Sequence, residues 1–283
     1  MKKRNGFSLL ELSIVLLVIA VIIGMITQSS DVLQTARLAA ARNITKSSVV
    51  NDTSGLILWL DSTSEDSFNS TNIDDGTAVA TWNDIKPSKT TAQYNAIQAS
   101  SGSQPLYKKG MINDLPAVTF DGINDYMTIP NYQANAYMTL FMVAKCPAHT
   151  ENLFIEQSVL SSANDGFYLW GSGLGPTDIR RSPNGIGNPS NIRWFTLAVP
   201  GIAVMRYDGT NISYKRNSDS FINTAASSVV NSPTIATLYI GSRAGSSIFS
   251  DCSMGEIIMF DRALSDTEVS DIVTYLTKKW QIE

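Results

Sequence analysis

The N-terminal stretch from Lys2 to Ile26 reads KKRNGFSLLELSIVLLVIAVIIGMI. Three positive charges precede an apolar run, residues 7–26, in which Glu11 is the one charged residue. As an α-helix this run would extend about 30 Å, which matches the hydrocarbon core of a bilayer. The basic leader predicts a cytoplasmic N-terminus by the positive-inside rule. The stretch therefore predicts a single-pass membrane anchor.

The same residues carry a processing signal. A secretory signal peptide would place small residues after the apolar run, but here the small residue at the border is Gly6, ahead of it. A short basic leader ending in Gly6, then Phe7, then Glu11 at the fifth position resembles the class III leader of type IV prepilins and type II secretion pseudopilins. The resemblance covers residues 1–45. It implies that a prepilin peptidase cleaves between Gly6 and Phe7 and methylates the new amino group of Phe7.

The presence of Glu11 in the apolar run needs a physical reason, because inserting a carboxylate into a bilayer costs about 2.5–3.5 kcal/mol on insertion scales. The resemblance implies that Glu11 pairs with the Phe7 ammonium of a neighbouring pilin or pseudopilin subunit during filament assembly. The alternative is a side chain that simply reaches the membrane surface. Alanine and leucine at helical spacing extend the predicted helix to about Arg42.

From Leu56 onward the sequence changes to short alternating runs separated by turn residues, which predict about a dozen strands. Residues 78–82 and 194–199 are two of them, and Asp208-Gly209 predicts a hairpin. Near the C-terminus, Ser265 and Glu268 form a capping box ahead of an apolar stripe. The pattern predicts a mainly β chain: a sandwich of two antiparallel sheets with a C-terminal helix.

Several segments resemble the concanavalin A-like, laminin-G-like jelly-roll superfamily: residues 56–61 (LILWLD), 82–84 (WND), 116–122 (PAVTFDG), 238–243 (LYIGSR) and 255–268 (GEIIMFDRALSDTE). The expected division is therefore a leader at 1–6, an assembly helix at 7–45, a linker at 46–53 and a jelly-roll head at 54–283. This fold carries lectins, enzymes and scaffolds alike, so the resemblance does not define the ligand.

Composition excludes several functions. The net charge is −4, so no nucleic-acid partner is expected. A single histidine, His149, excludes multi-histidine metal chemistry. The E-x-D-x-E run that supplies the paired carboxylates of glucanases with this fold is missing from the sequence. We therefore expect a protein that is not an enzyme and requires no cofactor.

Calcium is a secondary candidate as a ligand. Laminin-G-like domains often bind Ca²⁺, and Asp121, Asn124 and Asp125 offer the oxygen atoms that this cation prefers. The alternative is a tight turn in which these side chains bind the local backbone.

A glycine- and proline-rich segment, residues 171–191, offers candidate ligand residues. Trp170 and Trp194 flank it and could stack on a sugar, while Arg180 and Arg181 could contact an anionic group. The alternative is a mobile loop between two core tryptophans.

The two cysteines, Cys146 and Cys252, sit at the ends of predicted strands. A disulfide between them and two separately buried thiols both remain open from the sequence.

Together these features indicate a pilin-like subunit of a type IV pilus or related filament, whose lectin-like head mediates adhesion or binds glycans or surfaces. The alternative is a pseudopilin of a type II secretion system. The expected location is the bacterial inner membrane before assembly and the filament afterwards, with the head in the periplasm or outside the cell.

Replacing Gly6 with a bulkier residue such as valine should block processing, because the peptidase is expected to cut after Gly6. An immunoblot should then show only the longer, unprocessed chain in the inner membrane. Normal maturation of the Gly6→Val variant would contradict the assigned cleavage site.

Overall fold

The structure is a computed structural model that describes residues 9–69, 73–87, 93–133, 137–146, 152–157, 167–171, 178–181, 185–187, 198–225 and 235–283. Gly6 and Phe7 lie outside the described residues. The chain begins with one continuous helix, α1, from Leu9 to Lys46. Within the described part of the chain, no helix combines the length and the apolar character that crossing a bilayer requires.

The prediction of a mainly β chain with two antiparallel sheets and a C-terminal helix is confirmed. After α1, a 3₁₀ turn at Val49–Asn51 leads into the first strand. The final helix, α2, spans Asp266–Trp280. The strands are β1 Leu56–Asp61, β2 Thr77–Ala78, β3 Thr81–Trp82, β4 Ala96–Ile97, β5 Leu106–Ile112, β6 Leu115–Thr119, β7 Met127–Gln133, β8 Met138–Lys145, β9 Asn152–Gln157, β10 Phe167–Gly171, β11 Asp178–Arg181, β12 Gly185–Gly187, β13 Gly201–Tyr207, β14 Asn211–Arg216, β15 Ile222–Ala225, β16 Ile235–Ile240 and β17 Ser253–Phe260.

Among the described strands, the first sheet runs β15-β14-β13-β8-β17-β6-β5-β2, and β1 pairs with β17 as its ninth member. The second sheet runs β12-β11-β10-β9-β16-β7-β4-β3 and has eight strands. Strand β17 lies at the centre of the first sheet, with β8 on one side and both β6 and β1 on the other. We call these the inner sheet and the outer sheet, since the first is covered on both of its faces.

Two apolar layers explain that coverage. Alternate residues of the inner sheet, such as Leu60 and Ile257, pack against Leu238 and other residues of the outer sheet. The intervening residues, such as Ile258, pack instead against α2 and the end of α1. Every residue of β17 is buried, as expected for a strand covered on both faces.

Helix α2 has the predicted capping box, in which Ser265 and Glu268 each bind the other's backbone N–H. The predicted stripe of Val269, Ile272, Val273, Leu276 and Trp280 is buried against the inner sheet. Strand β17 leaves room for this packing at Gly255, where a Cβ atom would lie 2.5 Å from the Trp280 ring. A side chain at Gly255 would therefore displace α2.

The prediction of a single strand over residues 78–82 is wrong in one respect. The chain there forms two short strands, and β2 pairs with β5 in the inner sheet while β3 pairs with β4 in the outer sheet. Apolar alternation marks both strands but does not show that the chain crosses between sheets at this point. Of the strand predicted at 194–199, residues 194–197 lie outside the described part, and Ala198 and Val199 are not in a strand.

A disulfide joins Cys146 to Cys252, with the two Cα atoms 4.3 Å apart. It links the segment after β8 to the segment before β17, which are neighbouring strands of the inner sheet. The loop that it closes spans 106 residues of sequence. Such a bond persists in oxidising compartments outside the cytoplasm.

Candidate functional site

Between Leu12 and Ile19, α1 presents large apolar side chains around most of its circumference. Seven large apolar residues between Leu12 and Ile19 are each 45–66% exposed. A helix that is apolar all round is stable only when something apolar surrounds it. Glu11 lies on this part of the helix.

The last turns of α1 behave differently, because they contact the head. Arg37 donates to Asp114 at 2.5 Å and to the Asn113 carbonyl oxygen at 3.1 Å. Arg42 donates to the Thr63 carbonyl oxygen at 2.9 Å and to Glu65 at 3.0 Å. These ion pairs are partly exposed, so each contributes at most about 1 kcal/mol.

A buried polar cluster lies beneath those surface contacts, and we call it the junction cluster. Its centre is Lys279 of α2, whose Nζ lies 2.7 Å from Asp61 Oδ2 and 2.7 Å from Glu256 Oε2. All three side chains are fully buried. Thr45 of α1 donates to the same Asp61 oxygen at 2.9 Å. The cluster therefore joins α1, β1, β17 and α2 at one point.

Aromatic residues close the junction cluster. The indole N–H groups of Trp59 and Trp280 donate to Glu256 at 2.7 and 2.8 Å, and the Tyr275 hydroxyl donates to it at 2.7 Å. Burial raises the pKa of Glu256, although the neighbouring Lys279 acts in the opposite direction. Asp61 and Glu256 are a carboxylate pair, but full burial closes them to any substrate.

The face of the outer sheet that points away from the core is a second candidate site. Leu238 and Ile240 point into the core, so the intervening Tyr239 lies on the opposite face. Tyr239 pairs in register with Thr128 of β7 and Glu156 of β9. The Tyr126 ring lies 6.5 Å from the Tyr239 ring, and it lies 6.4 Å from the ring of Phe249.

Two charged side chains lie at the edge of this aromatic group. Arg243 approaches the buried Glu156 carboxylate at 3.5 Å and keeps about a quarter of its side chain exposed. The Glu156 carboxylate also accepts the Ala244 N–H at 3.1 Å, which holds the loop after β16 over the sheet. We call Tyr126, Tyr239, Phe249 and Arg243 the aromatic patch.

The predicted ligand residues fall partly on the same sheet. Arg180 pairs with Tyr168, which pairs in turn with Glu156, so Arg180 shares the cross-strand row of Tyr239. Arg181 instead pairs with Phe167, a core residue. Trp170 lies at the end of β10, opposite Asp178. Trp194 lies outside the described residues.

The candidate calcium residues close a turn. Asp121 Oδ1 accepts the N–H groups of Ile123, Asn124 and Asp125 at 2.8–3.3 Å. Asp125 Oδ2 in turn accepts the Asp121 N–H at 3.1 Å. Burial, helped by the nearby Asp121 carboxylate, raises the pKa of Asp125 to about 6. In the part of the chain that the structure describes, no group of three or more His, Cys, Asp or Glu residues is arranged to hold a metal ion.

Residues 1–27 match the prokaryotic N-terminal methylation motif, which is the motif of type IV prepilin-like precursors. No curated protein matches the chain. Among solved structures, Trypanosoma rangeli sialidase superposes with a TM-score of 0.51 at 14% identity, over 80% of this chain and 33% of that one. The structure of the same enzyme in complex with sialic acid superposes with a TM-score of 0.50 at 13% identity, over the same shares of the two chains.

The chain thus spans about a third of the length of those sialidase chains. At such low identity the likeness shows a shared β-sandwich fold and nothing about activity. The methylation motif supports a precursor that is similar to type IV pilins or pseudopilins at its N-terminus.

Sequence analysis missed the junction cluster, although a signal was present. Lys279 falls three residues after Leu276 and seven after Ile272, which places it on the apolar stripe of α2. Glu256 likewise interrupts a strand that is otherwise apolar or small. A charged residue at a core position predicts a buried partner, but the sequence does not identify that partner.

Replacing Lys279 with methionine should destabilise the protein by about 3–5 kcal/mol, because Asp61 and Glu256 would remain buried without a compensating charge. The measurement is chemical unfolding of the processed full chain. Lys278→Met is the matched control, since Lys278 is the exposed neighbour on α2. Equal stability of the two variants would contradict the assigned role of the cluster.

Proposed function

We propose that this protein is a subunit of a type IV pilus or a related filament. The observation that carries the proposal is the methylation motif at residues 1–27, which overlaps a continuous helix that exposes seven large apolar side chains between Leu12 and Ile19. In the proposed pathway, a prepilin peptidase cleaves after Gly6 and methylates Phe7. Residues 7–45 hold the precursor in the bacterial inner membrane, with the N-terminus in the cytoplasm.

Assembly transfers the helix from lipid into the filament. There the apolar residues between Leu12 and Ile19 pack against the helices of other subunits, which replaces lipid contacts with protein contacts. Glu11 supplies the one charge, and its partner in the proposal is the Phe7 ammonium of the neighbouring subunit. A carboxylate and an ammonium attract strongly where the dielectric constant is low.

The head is displayed on the filament surface. We infer that the division at residues 54–283 describes an adhesive head of the concanavalin A-like type, with no enzymatic role. Its attachment to α1 through both surface ion pairs and the junction cluster suits a subunit that must transmit force from a bound surface to the filament.

We further propose the aromatic patch as the place where the head binds carbohydrate. Sugar rings stack on half-buried aromatic side chains, and Arg243, which lies against the cross-strand neighbour of Tyr239, adds a cation for an anionic group of the ligand. Arg180, in the same cross-strand row, extends this positive character in the proposal.

Replacing Glu11 with valine should allow normal membrane insertion, because it removes a charge that costs about 2.5–3.5 kcal/mol in the bilayer. Incorporation into fibres should fall strongly, since the partner ammonium would remain unpaired. The measurement compares subunit levels in sheared surface fibres and in membranes.

The matched control for this experiment is Ser13→Val, which adds an apolar side chain to the same helix and keeps the carboxylate. Wild-type incorporation of Glu11→Val would argue against the assembly contact. Absence of the wild-type subunit from surface fibres, combined with a secretion defect when it is deleted, would indicate a pseudopilin instead.

Replacing Tyr239 with alanine should weaken carbohydrate binding about tenfold or more, because an aromatic anchor at the centre of a binding surface carries much of the affinity. Binding is measured on an array of immobilised oligosaccharides. Tyr137→Ala is the control, since Tyr137 is 50% exposed and lies beside Gly209 in the β13–β14 hairpin. No binding by the wild type, or equal loss in both variants, would contradict the assignment.

A further inference from the structure

The junction cluster brings an amine and two carboxyl groups into reacting distance. Lys279 Nζ lies 2.7 Å from Asp61 Oδ2 and 2.7 Å from Glu256 Oε2. Asp61 and Glu256 are directly opposite each other on β1 and β17. Two reacting groups held in such fixed contact react as if each met the other at an effective concentration of about 10⁵–10⁸ M.

The surroundings keep water away from these groups. Three aromatic side chains, Trp59, Tyr275 and Trp280, enclose the cluster, and all three reacting side chains are fully buried. The direct contact of Lys279 Nζ with Asp61 Oδ2 lets a proton pass from the ammonium to the carboxylate, which yields a neutral amine and a carboxylic acid. These are the forms in which an amine can attack a carboxyl carbon.

We propose that Lys279 and Asp61 become joined by an intramolecular amide bond, which the folded protein forms itself with Glu256 as the proton-transfer group. No nucleotide, metal ion or second enzyme is required. The product is an isopeptide cross-link between the first strand of the head and its last helix, two segments separated by 218 residues.

The step balances as a condensation. The lone pair of the neutral Lys279 Nζ attacks Cγ of the protonated Asp61 carboxyl group. Glu256 reacts as the uncharged acid, whose proton comes from the solvent: it accepts the Nζ proton on one oxygen and releases its own proton from the other. That proton reaches the Asp61 hydroxyl oxygen, which leaves as water. An N–C bond replaces a C–O bond, Glu256 ends in its starting form, and nothing is oxidised or reduced.

The structure provides groups for both parts of this step. Asp61 Oδ1 accepts hydrogen bonds from the Thr63 N–H at 2.9 Å and the Thr63 hydroxyl at 2.7 Å, and these donors would stabilise the developing oxyanion. A chain of hydroxyl groups leads from Glu256 Oε1 to Asp61 Oδ2. The Tyr275 hydroxyl oxygen lies 2.7 Å from Glu256 Oε1 and 3.4 Å from the Thr45 hydroxyl oxygen. The Thr45 hydroxyl oxygen in turn lies 2.9 Å from Asp61 Oδ2.

The cross-link would lie where a filament subunit carries load. Strand β1 follows α1 after a short turn, so tension on α1 reaches β1 directly. With an amide bond at Asp61, that tension passes to α2 through covalent bonds. Without it, the separation of β1 would be resisted by noncovalent contacts alone, among them the hydrogen bonds to β17 and the ion pair with Lys279.

The test is peptide mapping of the processed full chain, purified in detergent, denatured and reduced. We expect the tryptic peptide containing Asp61 to be joined to the peptide containing Lys279, with a mass one water below their sum. Trypsin should not cut after Lys279. Unlinked Asp61 and Lys279 peptides from the wild type would overturn the proposal, and this outcome requires no variant to fold.

Variants test the role of each residue in forming the link. Lys279→Arg keeps the charge and should abolish the link, and Glu256→Gln keeps the shape and should abolish it as well. Persistence of the link in Glu256→Gln would overturn the role of Glu256. If Glu256→Gln does not fold, Tyr275→Phe interrupts the hydroxyl chain with a smaller change. It should lower the linked fraction, and an unchanged fraction would overturn the proton route.

A second buried lysine provides the matched control. Lys86 Nζ lies 2.8 Å from Asp84 Oδ2, and both side chains are almost completely buried. Lys86→Arg should leave the Asp61–Lys279 link unchanged, and the wild-type linked peptide, which spans residues 47–89 and so also contains Asp84 and Lys86, should carry no second loss of water. A loss of water at Asp84 would show that burial beside a carboxylate suffices, which would overturn the specific role of Glu256.

Discussion

The nitrogen of Lys279, held between Asp61 and Glu256, is the contact on which the remaining architecture depends. Each of these groups would be expensive to bury alone, because an isolated charge inside a protein loses several kcal/mol of hydration. They are tolerated together because each supplies the partner of the others, and because the indole and phenol groups satisfy the remaining oxygen atoms. The arrangement exists only when α2, β1 and β17 are all in place.

This constraint reaches the N-terminal helix through Thr45, which donates to the Asp61 oxygen that also contacts Lys279. Ala41, one turn earlier, is buried in the same layer of the core as Trp59 and Trp280. The helix therefore ends inside the head. In a filament, the position of each head would then follow from the position of its helix, and a pull on the head would act on the helix directly.

Local signals predicted much of the architecture. The leader, Glu11 and the apolar run are contiguous, and the cap at Ser265 and Glu268 depends on residues three positions apart, so each can be recognised within one short stretch of sequence. The hairpin at Asp208 and Gly209 is equally local, and it is present between β13 and β14. The apolar stripe of α2 follows from helical periodicity alone.

Non-local contacts could not be predicted in the same way. Lys279 stands out on the stripe of α2, but its partner Asp61 lies 218 residues away. The split of residues 78–82 between two sheets depends on which edge each half meets, and the residues themselves carry no mark of it. The aromatic patch combines Tyr126, Tyr239 and Phe249 from separate segments, so its composition appears only after the strands are paired.

Through the junction cluster, the helix and the head form one mechanical unit. Hydrogen exchange of the processed full chain in detergent measures this coupling, by comparing the amides of residues 41–48 with those of β17. Both sets should exchange slowly and become unprotected together as denaturant is added. Fast exchange of residues 41–48 while β17 stays protected would show a hinge between helix and head, and would contradict it.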